Sequence, residues 1–527
     1  MFDGLKKQVA QWLLPPTPQR QQRMYNMAKA SRLTGGWGNQ TTSEDSELSS
    51  SLRVGRARSR QLIRDAAYAK RAKAIVQLNI VGAGIGMQGQ VMNSRGALNR
   101  RINDDIEQAW EQWSEKRSCH LGKTLHFHDL ERVLIGEVFE AGEIFVRLHR
   151  TATPDSLVPL ALEIIEPERL GDDLFPMGVI QPDGIRLGIE VDPFGAPVAY
   201  YVKTIYPGEL QIHGGRTAEV QRIPASQMLH LRIVERWPQT RAMPWLHAAA
   251  RKLNDMDGLT EAEITAARAA ACYMGFIEMP DAQAQYGEPQ ADGSTQSELE
   301  PAMIERLNPG EKFTFAAPNR PNTQMDAFMR MMLREVAAGS GSSYESLSRD
   351  YSQSNYSSSR LALLDDRDLW RTLQGWFIRD LRQEVHRLWL QQAILAGAIP
   401  SINVAEYAAN PRKFESVRFK PRGWSWIDPT KEVEANIEAV KAGFTTVSRV
   451  IASTGEGLDL EDILRERQQE LKLMKEAGLL FSTDPSTVEI PADPNAKTPP
   501  EEPEPDENDP AVTTAEKMLR DTRRPHA

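Results

Sequence analysis

Two stretches of this chain repeat apolar residues at helical spacing for longer than a compact core can use, and they flank a stretch with almost no pattern. From Pro244 to about Met274 the residues Leu246, Ala249, Leu253, Met256, Ile264, Ala267, Ala271 and Met274 form one narrow stripe. Pro at the first helical position fits a helix start, and 1.5 Å per residue makes the predicted helix about 45 Å long. Residues 276–320 are irregular, with only FIEM and KFTF as candidate short strands. Helical spacing returns from Thr323 to Ala338 through Met325, Phe328, Met329, Met332, Leu333 and Val336. After a serine-rich stretch, the longest predicted helix runs from about Arg360 to Ala398, about 58 Å by the same rise. Such length with so narrow a stripe suits packing side by side with further copies of the chain, as in a ring.

The remainder is mixed. Residues 1–50 are poor in apolar side chains and rich in Gln, Ser, Thr and Gly, which predicts a mobile arm. Residues 51–78 read as one basic helix, and a second helix is predicted from Asn99 to Lys116 with Ile102, Ile106, Trp110 and Trp113 on one face. From about Val133 to Val234 the pattern alternates. GEIFVRLHR, GIRLGIEV and PVAYYVKTI are predicted strands, with DPFGAP as a turn between the last two. Past Pro421 lies a small helical unit, with Asp428-Pro429 as a helix start, Gly443 as a helix end, and a last helix from Asp459 to Gly478.

Charge is unevenly spread over the 527 residues. The formal net charge is −9, yet residues 1–73 carry fourteen bases and five acids, and residues 483–527 carry eleven acids and five bases. The acidic, proline-rich tail has too few large apolar residues to offset ordering entropy and is expected to be disordered. The length predicts two to four core-forming units. No run approaches eighteen apolar residues, so no membrane span is expected. Gln11 and Pro15-Pro16 interrupt the short N-terminal apolar run, a poor signal peptide. With only Cys119 and Cys272, disulfides are not the design, and folding in a reducing cytoplasm is expected.

Three motifs invite a chemical reading. Gly84-x-Gly86-x-x-Gly89, with Asp104 further on, has the spacing of a dinucleotide-binding turn. That turn must open a helix aimed at the pyrophosphate, whereas QVMNSRGALN follows here, polar and turn-like, so no cofactor is expected. Cys119-His120, His126, His128 and Asp129 match no closed zinc set, and His126-Phe127-His128 is expected to alternate as a strand. Positions 340–359 hold ten serines and three tyrosines. A nucleophile among them would need a base, and no His lies nearer in sequence than His386, so a polar loop on a rigid scaffold is the better reading.

At this loop the chain is similar to a known family. Arg334 to Arg360, REVAAGSGSSYESLSRDYSQSNYSSSR, resembles the AAG-x-G-x-SYE-x-LSRDYS-x-x-x-YSS-x-R signature of lambda-type portal proteins of tailed bacteriophages. VGAGIGMQ, Gly142-Glu143-Ile144-Phe145-Val146, Pro167-Glu168-Arg169, Gln239-Thr240-Arg241 and Trp426-Ile427-Asp428-Pro429-x-Lys431-Glu432 follow in the family's order, over about residues 55–480.

The resemblance implies an α+β portal fold, non-enzymatic, assembled as a dodecameric ring at one capsid vertex through which double-stranded DNA is packaged and ejected. It implies an arm at 1–50, a wing at 51–243, a first stem helix at 244–275 and a clip at 276–320. A second stem helix at 321–345, a tunnel loop at 346–359 and a long helix returning through the wing at 360–424 would follow. The crown would occupy 425–482 and the tail 483–527. Residues expected to line the DNA channel are Arg349, Tyr351, Ser352, Gln353, Asn355, Tyr356, Ser358 and Arg360. The flanking Arg349 and Arg360 can either face phosphates or pair with Asp350 or Asp365. Glu311, Lys312 and Arg320 are expected in the clip surface that meets the terminase large subunit and then the head–tail connector; capsid and scaffolding proteins are further implied partners. Two other classes fit the residues less well: an enzyme with a Ser or Tyr nucleophile at the loop, and a soluble DNA-binding adaptor.

Overall fold

The computed structural model describes residues 41–479 apart from 154, 172–183, 210–218, 273–275, most of 279–323, 425–428 and 455–459, together with Arg32, Gly36 and Gly38. Most of the expected N-terminal arm before residue 41, the tail, Glu311, Arg320 and the Asp428 and Asp459 helix starts lie outside the described residues.

The first helix, α1 (Glu44–Asp65), begins inside the expected arm. Ser43 caps it, three acids sit in its first turn where the helix dipole favours them, and Leu48, Leu52 and Ile63 are buried along one face. The single helix expected over 51–78 is two: Ala66, in extended backbone, separates α1 from α2 (Ala67–Ile80). After β1 (Gly86–Gly89) comes α3 (Arg100–Ser114), capped by Asn99 and burying Ile106, Trp110 and Trp113 as its spacing predicts. The expected His126–His128 strand is instead the start of α4 (Phe127–Ala141). His126 accepts a hydrogen bond from the His128 amide and so acts as an N-cap, a role an alternating pattern of three residues cannot reveal. Helix α4 ends at Gly142, whose φ of +89° and approach to the Met243 carbonyl, where a Cβ would lie 2.4 Å from the oxygen, leave room only for glycine. The strands therefore begin at Glu143, later than the alternation suggested.

Two antiparallel sheets follow. In the first, β2 (Glu143–His149) lies between β3 (Ala161–Ile165) and β8 (Met228–Arg232), and β2 is almost wholly buried. The second runs β4 (Gly184–Arg186), β5 (Ile189–Val191), β6 (Pro197–Lys203) and β7 (Val220–Pro224) in order. GIRLGIEV is thus a hairpin, not one strand: Leu187 (φ +48°) and Gly188 (φ +86°) take the left-handed conformations that its two-residue turn needs.

Helix α5 (Ala250–Cys272) is led in by a 3-10 turn after Pro244. Beyond it, β9 (Phe276–Glu278), β10 (Glu288–Pro289), β11 (Thr295–Gln296) and β12 (Lys312–Thr314) are short. The two strands expected from FIEM and KFTF pair with each other, Lys312 opposite Glu278. Next come α6 (Met325–Ser340), α7 (Tyr344–Ser348) and α8 (Tyr356–Phe377), which passes through one π-helical stretch, Ile378–Gln383, into α9 (Glu384–Leu395). Helices α10 (Val404–Ala409) and α11 (Pro411–Phe414) lead to β13 (Val417–Lys420), which pairs with β1. Then α12 (Pro429–Lys441) and α13 (Val447–Thr454) follow. A second compact unit begins at Asp459 and contains α14 (Leu460–Ala477). Gly443 (φ +78°) and Gly478 (φ +67°) close α12 and α14 as expected.

The core of the first unit gathers α2, α3, α4, α8 and α9 around aromatic rings. Trp110 meets Trp389 edge-on at 4.9 Å and Phe127 at 5.4 Å. Segments about 280 residues apart in sequence thereby share one core.

Candidate functional site

The glycine motif is not a cofactor loop. Gly86–Gly89 is the edge strand β1, and no helix begins until Arg100. Gly84 has φ +144° and presses on the His128 ring, so its lack of a side chain serves packing. The suspected zinc residues are engaged structurally: His120 Nε2 accepts from the Thr124 and Leu125 amides, and Cys119 is buried with its thiol pushed up to about 12 by burial. Among the described residues no group of three His, Cys, Asp or Glu is placed to hold a metal, and no helix is long and apolar enough to cross a membrane.

The scattered motifs converge on one buried ionic knot. Glu143, fully buried at the head of β2, binds Arg241 Nε at 2.6 Å, His230 Nε2 at 2.7 Å and the guanidinium of Arg56 from α1. Burial alone would raise the Glu143 carboxyl; Arg241 and Arg56 override it and hold the group ionised, well below the usual range. Arg241 also donates to the carbonyls of Leu187 and Pro167. Thr240 donates twice to Asp45, and Arg60 reaches Glu168 at 2.7 Å and Glu137 at 2.9 Å. The GEIFV, PER and QTR pieces are thus parts of one joint fastening α1, both sheets and the lead-in to α5.

A second set of contacts builds the serine-rich loop. Gly341, at φ +70°, ends α6. Ser343 caps α7 and donates through its amide (2.9 Å) and hydroxyl (2.7 Å) to Asp366 on α8, which also accepts from Ser346. Arg71 of α2 donates to the Ser346 carbonyl, and Arg334 lies over the Tyr344 ring at 5.5 Å. Tyr344 donates to Asp350 at 2.8 Å, and Arg330 stands 3.6 Å from the same carboxylate. Hydrogen bonds from Ser352 and Tyr344 hold Asp350 at about 2, ionised in any ordinary buffer. At the far end Asn355 and Ser358 exchange reciprocal bonds, a capping box that starts α8.

The loop is shorter than 346–359 suggested, because α7 takes its start and α8 takes Tyr356 onward. Arg349 adopts φ +59° and is exposed, while Tyr351, Ser352, Gln353 and Asn355 stand in solvent between two fixed ends. Of the two alternatives for the flanking arginines, pairing with Asp350 or Asp365 is not seen among the described residues. Asp350 is held by Tyr344 and Arg330, and Arg360 faces Glu432 of α12 at 3.9 Å. The tyrosine and the acid of the SYE and SRD motifs are therefore the loop's own fasteners. The Asp366 anchor, outside the serine run, has no signal in the sequence beyond its helical position.

A mixed helix-and-strand body thus holds a short polar loop between α7 and α8 through hydrogen bonds to Asp350 and Asp366. The chain matches the family described as "Phage portal protein, lambda family" over residues 30–374. It is 26% identical to the "Probable portal protein" of Halomonas phage phiHAP-1, covering 90% of this chain and 94% of that protein. It is 23% identical to "Portal protein B" of Escherichia phage lambda, covering 84% and 88% respectively. Among solved structures it is similar to a chain in "Neck of empty GTA particle computed with C6 symmetry" (TM-score 0.40, 15% identity, 75% of this chain and 93% of that one). A chain in "Virion of native gene transfer agent (GTA) particle" has TM-score 0.40 at 14% identity, covering 80% and 97%. The protein belongs to the lambda family of phage portal proteins.

Proposed function

We propose that this chain forms a closed ring of twelve copies at one vertex of the phage capsid and is the conduit through which double-stranded DNA enters and leaves. On this reading 51–243 is the wing, 244–275 and 321–345 the stem, 276–320 the clip, and 425–482 the crown. The clip, including Glu311, Lys312 and Arg320, receives the terminase large subunit and later the head–tail connector, while capsid and scaffolding proteins contact the rest. The protein works in the virion as a structural conduit rather than as a catalyst, with no cofactor.

The observation that carries the reading is the loop from Arg349 to Asn355, exposed and polar yet fastened at both ends. Hydroxyls and amides bond phosphate oxygens without sequence preference, and they add no fixed charge to trap the polymer. A rigidly mounted collar of hydroxyls and amides from Tyr351 to Asn355 touches DNA weakly and many times. The test replaces Gln353–Ser357 by a short Gly/Ala linker and measures nuclease-protected DNA in mutant and wild-type heads. Rings with a central hole and normal heads should form, with DNA poorly retained or packaging stalled late. Equal full-length DNA would remove the loop from the conduit; loss of the ring would make it a subunit contact instead. A wild-type protein that never forms rings, even with scaffold present, would overturn the whole reading.

A further inference from the structure

An apolar groove of about 670 Å³ opens between the first sheet and the end of the long helix. One face of α9 runs along it. Glu384, Leu388 and Leu395 are spaced four and seven residues apart, close to one and two whole turns, and so line about 16 Å of its length. Leu148 of β2 and Met228 of β8 line it from the sheet, and Val404 lines it from α10. Leu395 and Val404 keep 59% and 46% of their surface exposed, so no described residue covers this end of the groove. Arg150, Glu384 and Glu415 give the lining charges of both signs.

One segment of the chain outside the described residues matches these dimensions. Phe2, Leu5, Val9, Trp12 and Leu13 recur at helical spacing within a stripe about 100° wide, with Asp3, Lys6 and Lys7 beside it. Pro15-Pro16 ends the pattern. Phe2 and Leu13 are eleven residues apart, the same span as Glu384 and Leu395. A helix this short is marginal in water by itself, so its apolar stripe needs a surface to form on. The point of entry fits as well. Near the start of the described chain, the Thr42 carbonyl accepts from Arg236 at 2.6 Å and Asp45 accepts from the Thr240 amide at 2.7 Å. Arg232, the last residue of β8, donates to the Gln239 carbonyl in the same segment. From there β8 leads about 17 Å back to Met228 in the groove. Pro15 to Gln40, at about 3.3 Å per residue, can span several times that distance, and the tether raises the local concentration of the segment above that of a free partner.

We propose that this groove is the seat of residues 2–14 of the same chain, bound as a helix. The apolar stripe lies on Leu388, Leu395 and Val404, and Asp3, Lys6 and Lys7 face rim charges of opposite sign, the helix-in-groove mode of recognition. The seat ties the basic start of the chain to the body. It requires the groove and the segment, not a ring or DNA, and so is independent of the conduit reading.

The probe is a fluorescent peptide of residues 1–18, titrated into full-length protein and into a variant lacking residues 2–16. The truncated protein should bind it saturably. Full-length protein should bind it at least about 10-fold more weakly, because its own segment already fills the groove. In the truncated background, Leu395→Glu with Val404→Glu should weaken binding by at least about 10-fold, the loss expected from one large apolar contact. Both positions are exposed, so the fold should tolerate the change. A peptide carrying Trp12→Ala and Leu13→Ala probes the same contact with the protein untouched and should lose a similar factor. Benzoylphenylalanine in place of Trp12 in the full-length protein should cross-link to α9 or α10 of its own chain. Equal peptide binding by full-length and truncated protein would mean that the groove stands empty, and the seat would be overturned. A cross-link joining two chains overturns it too, by moving the segment to a neighbouring copy. So does a segment that carries the protein onto anionic lipid vesicles while peptide binding ignores the groove substitutions, which makes it a membrane-surface helix. Rings and DNA retention are read separately, so failure here leaves the conduit reading standing.

Discussion

His386 is buried on α9 between the Trp110 and Trp389 rings, at 5.6 and 5.7 Å, with the edge of Phe419 at 6.0 Å. Among the described residues its Nε2 has no hydrogen-bond partner. Burial, reinforced by the neighbouring Arg382, pushes its pKa down to about 3, so the ring is neutral in the fold. The unfolded chain takes up this proton near the ordinary value of about 6.5. Between those values the unfolded state binds more protons, so stability falls as pH falls, by up to about 1.4 kcal/mol per pH unit for this one group. His386→Phe should flatten the dependence of denaturation midpoint on pH between about 6.5 and 4.5 by that amount. An unchanged slope would mean that the ring is already hydrated or charged in the folded state. Glu143 and Glu131 act in the same sense but at lower pH, because there too the unfolded state binds more protons. The arginines around Glu143, and Arg382 with His128 at Glu131, hold both carboxyls below their ordinary value, and that stability is lost only on strong acidification.

Among the elements, the join between α7 and α8 decides how firmly the loop is presented. Asn355→Ala removes the capping box of α8 and should cost about 1 kcal/mol in chemical denaturation, while Asn355→Ser should be nearly neutral. Asp366→Ala strips the acceptor from the Ser343 amide and from the Ser343 and Ser346 hydroxyls, and should cost about 1–3 kcal/mol. The variants should also differ in limited proteolysis, with cleavage between Arg349 and Asn355 accelerated in both Ala variants. Equal cleavage in all of them would mean that the loop's order does not depend on its ends. The loop's existence was legible because ten serines cannot build a core. Its true length was not, because Ser, Tyr and Asn occupy helix caps as readily as loops, and only the partners at Asp366 and Asp350 decide which.

For the whole molecule, residues 74–482 carry 44 bases and 56 acids between a basic start and an acidic tail, and a net acidic body suits the proposed conduit, which must release the polyanion that passes through it. The proposed clip should be separable from the proposed ring's formation, because 276–320 has too few apolar residues to be a core of its own. Charge reversal at Glu311 and Lys312 should weaken co-sedimentation with the packaging motor while rings persist in electron micrographs. Rings that fall apart with docking unchanged would make the clip a subunit contact.

Periodicity alone determined the long helices, their narrow faces and the irregular insert between α5 and α6, because a 3.6-residue repeat sustained over many turns has no other reading. The sequence also carried the loop signature, since it places Gly341, Ser343, Tyr344 and Asp350 within ten residues of one another. Tertiary structure decided what lies far apart in the chain. Glu143 meets Arg56 and Arg241, His126 caps a helix instead of entering a strand, β1 pairs with a strand more than 300 residues later, and Trp424 meets two arginines of α8, more than 50 residues earlier. Each of these depends on burial. A charge or a ring acquires its role only when the low-dielectric surroundings, and the partner that makes them tolerable, arrive together.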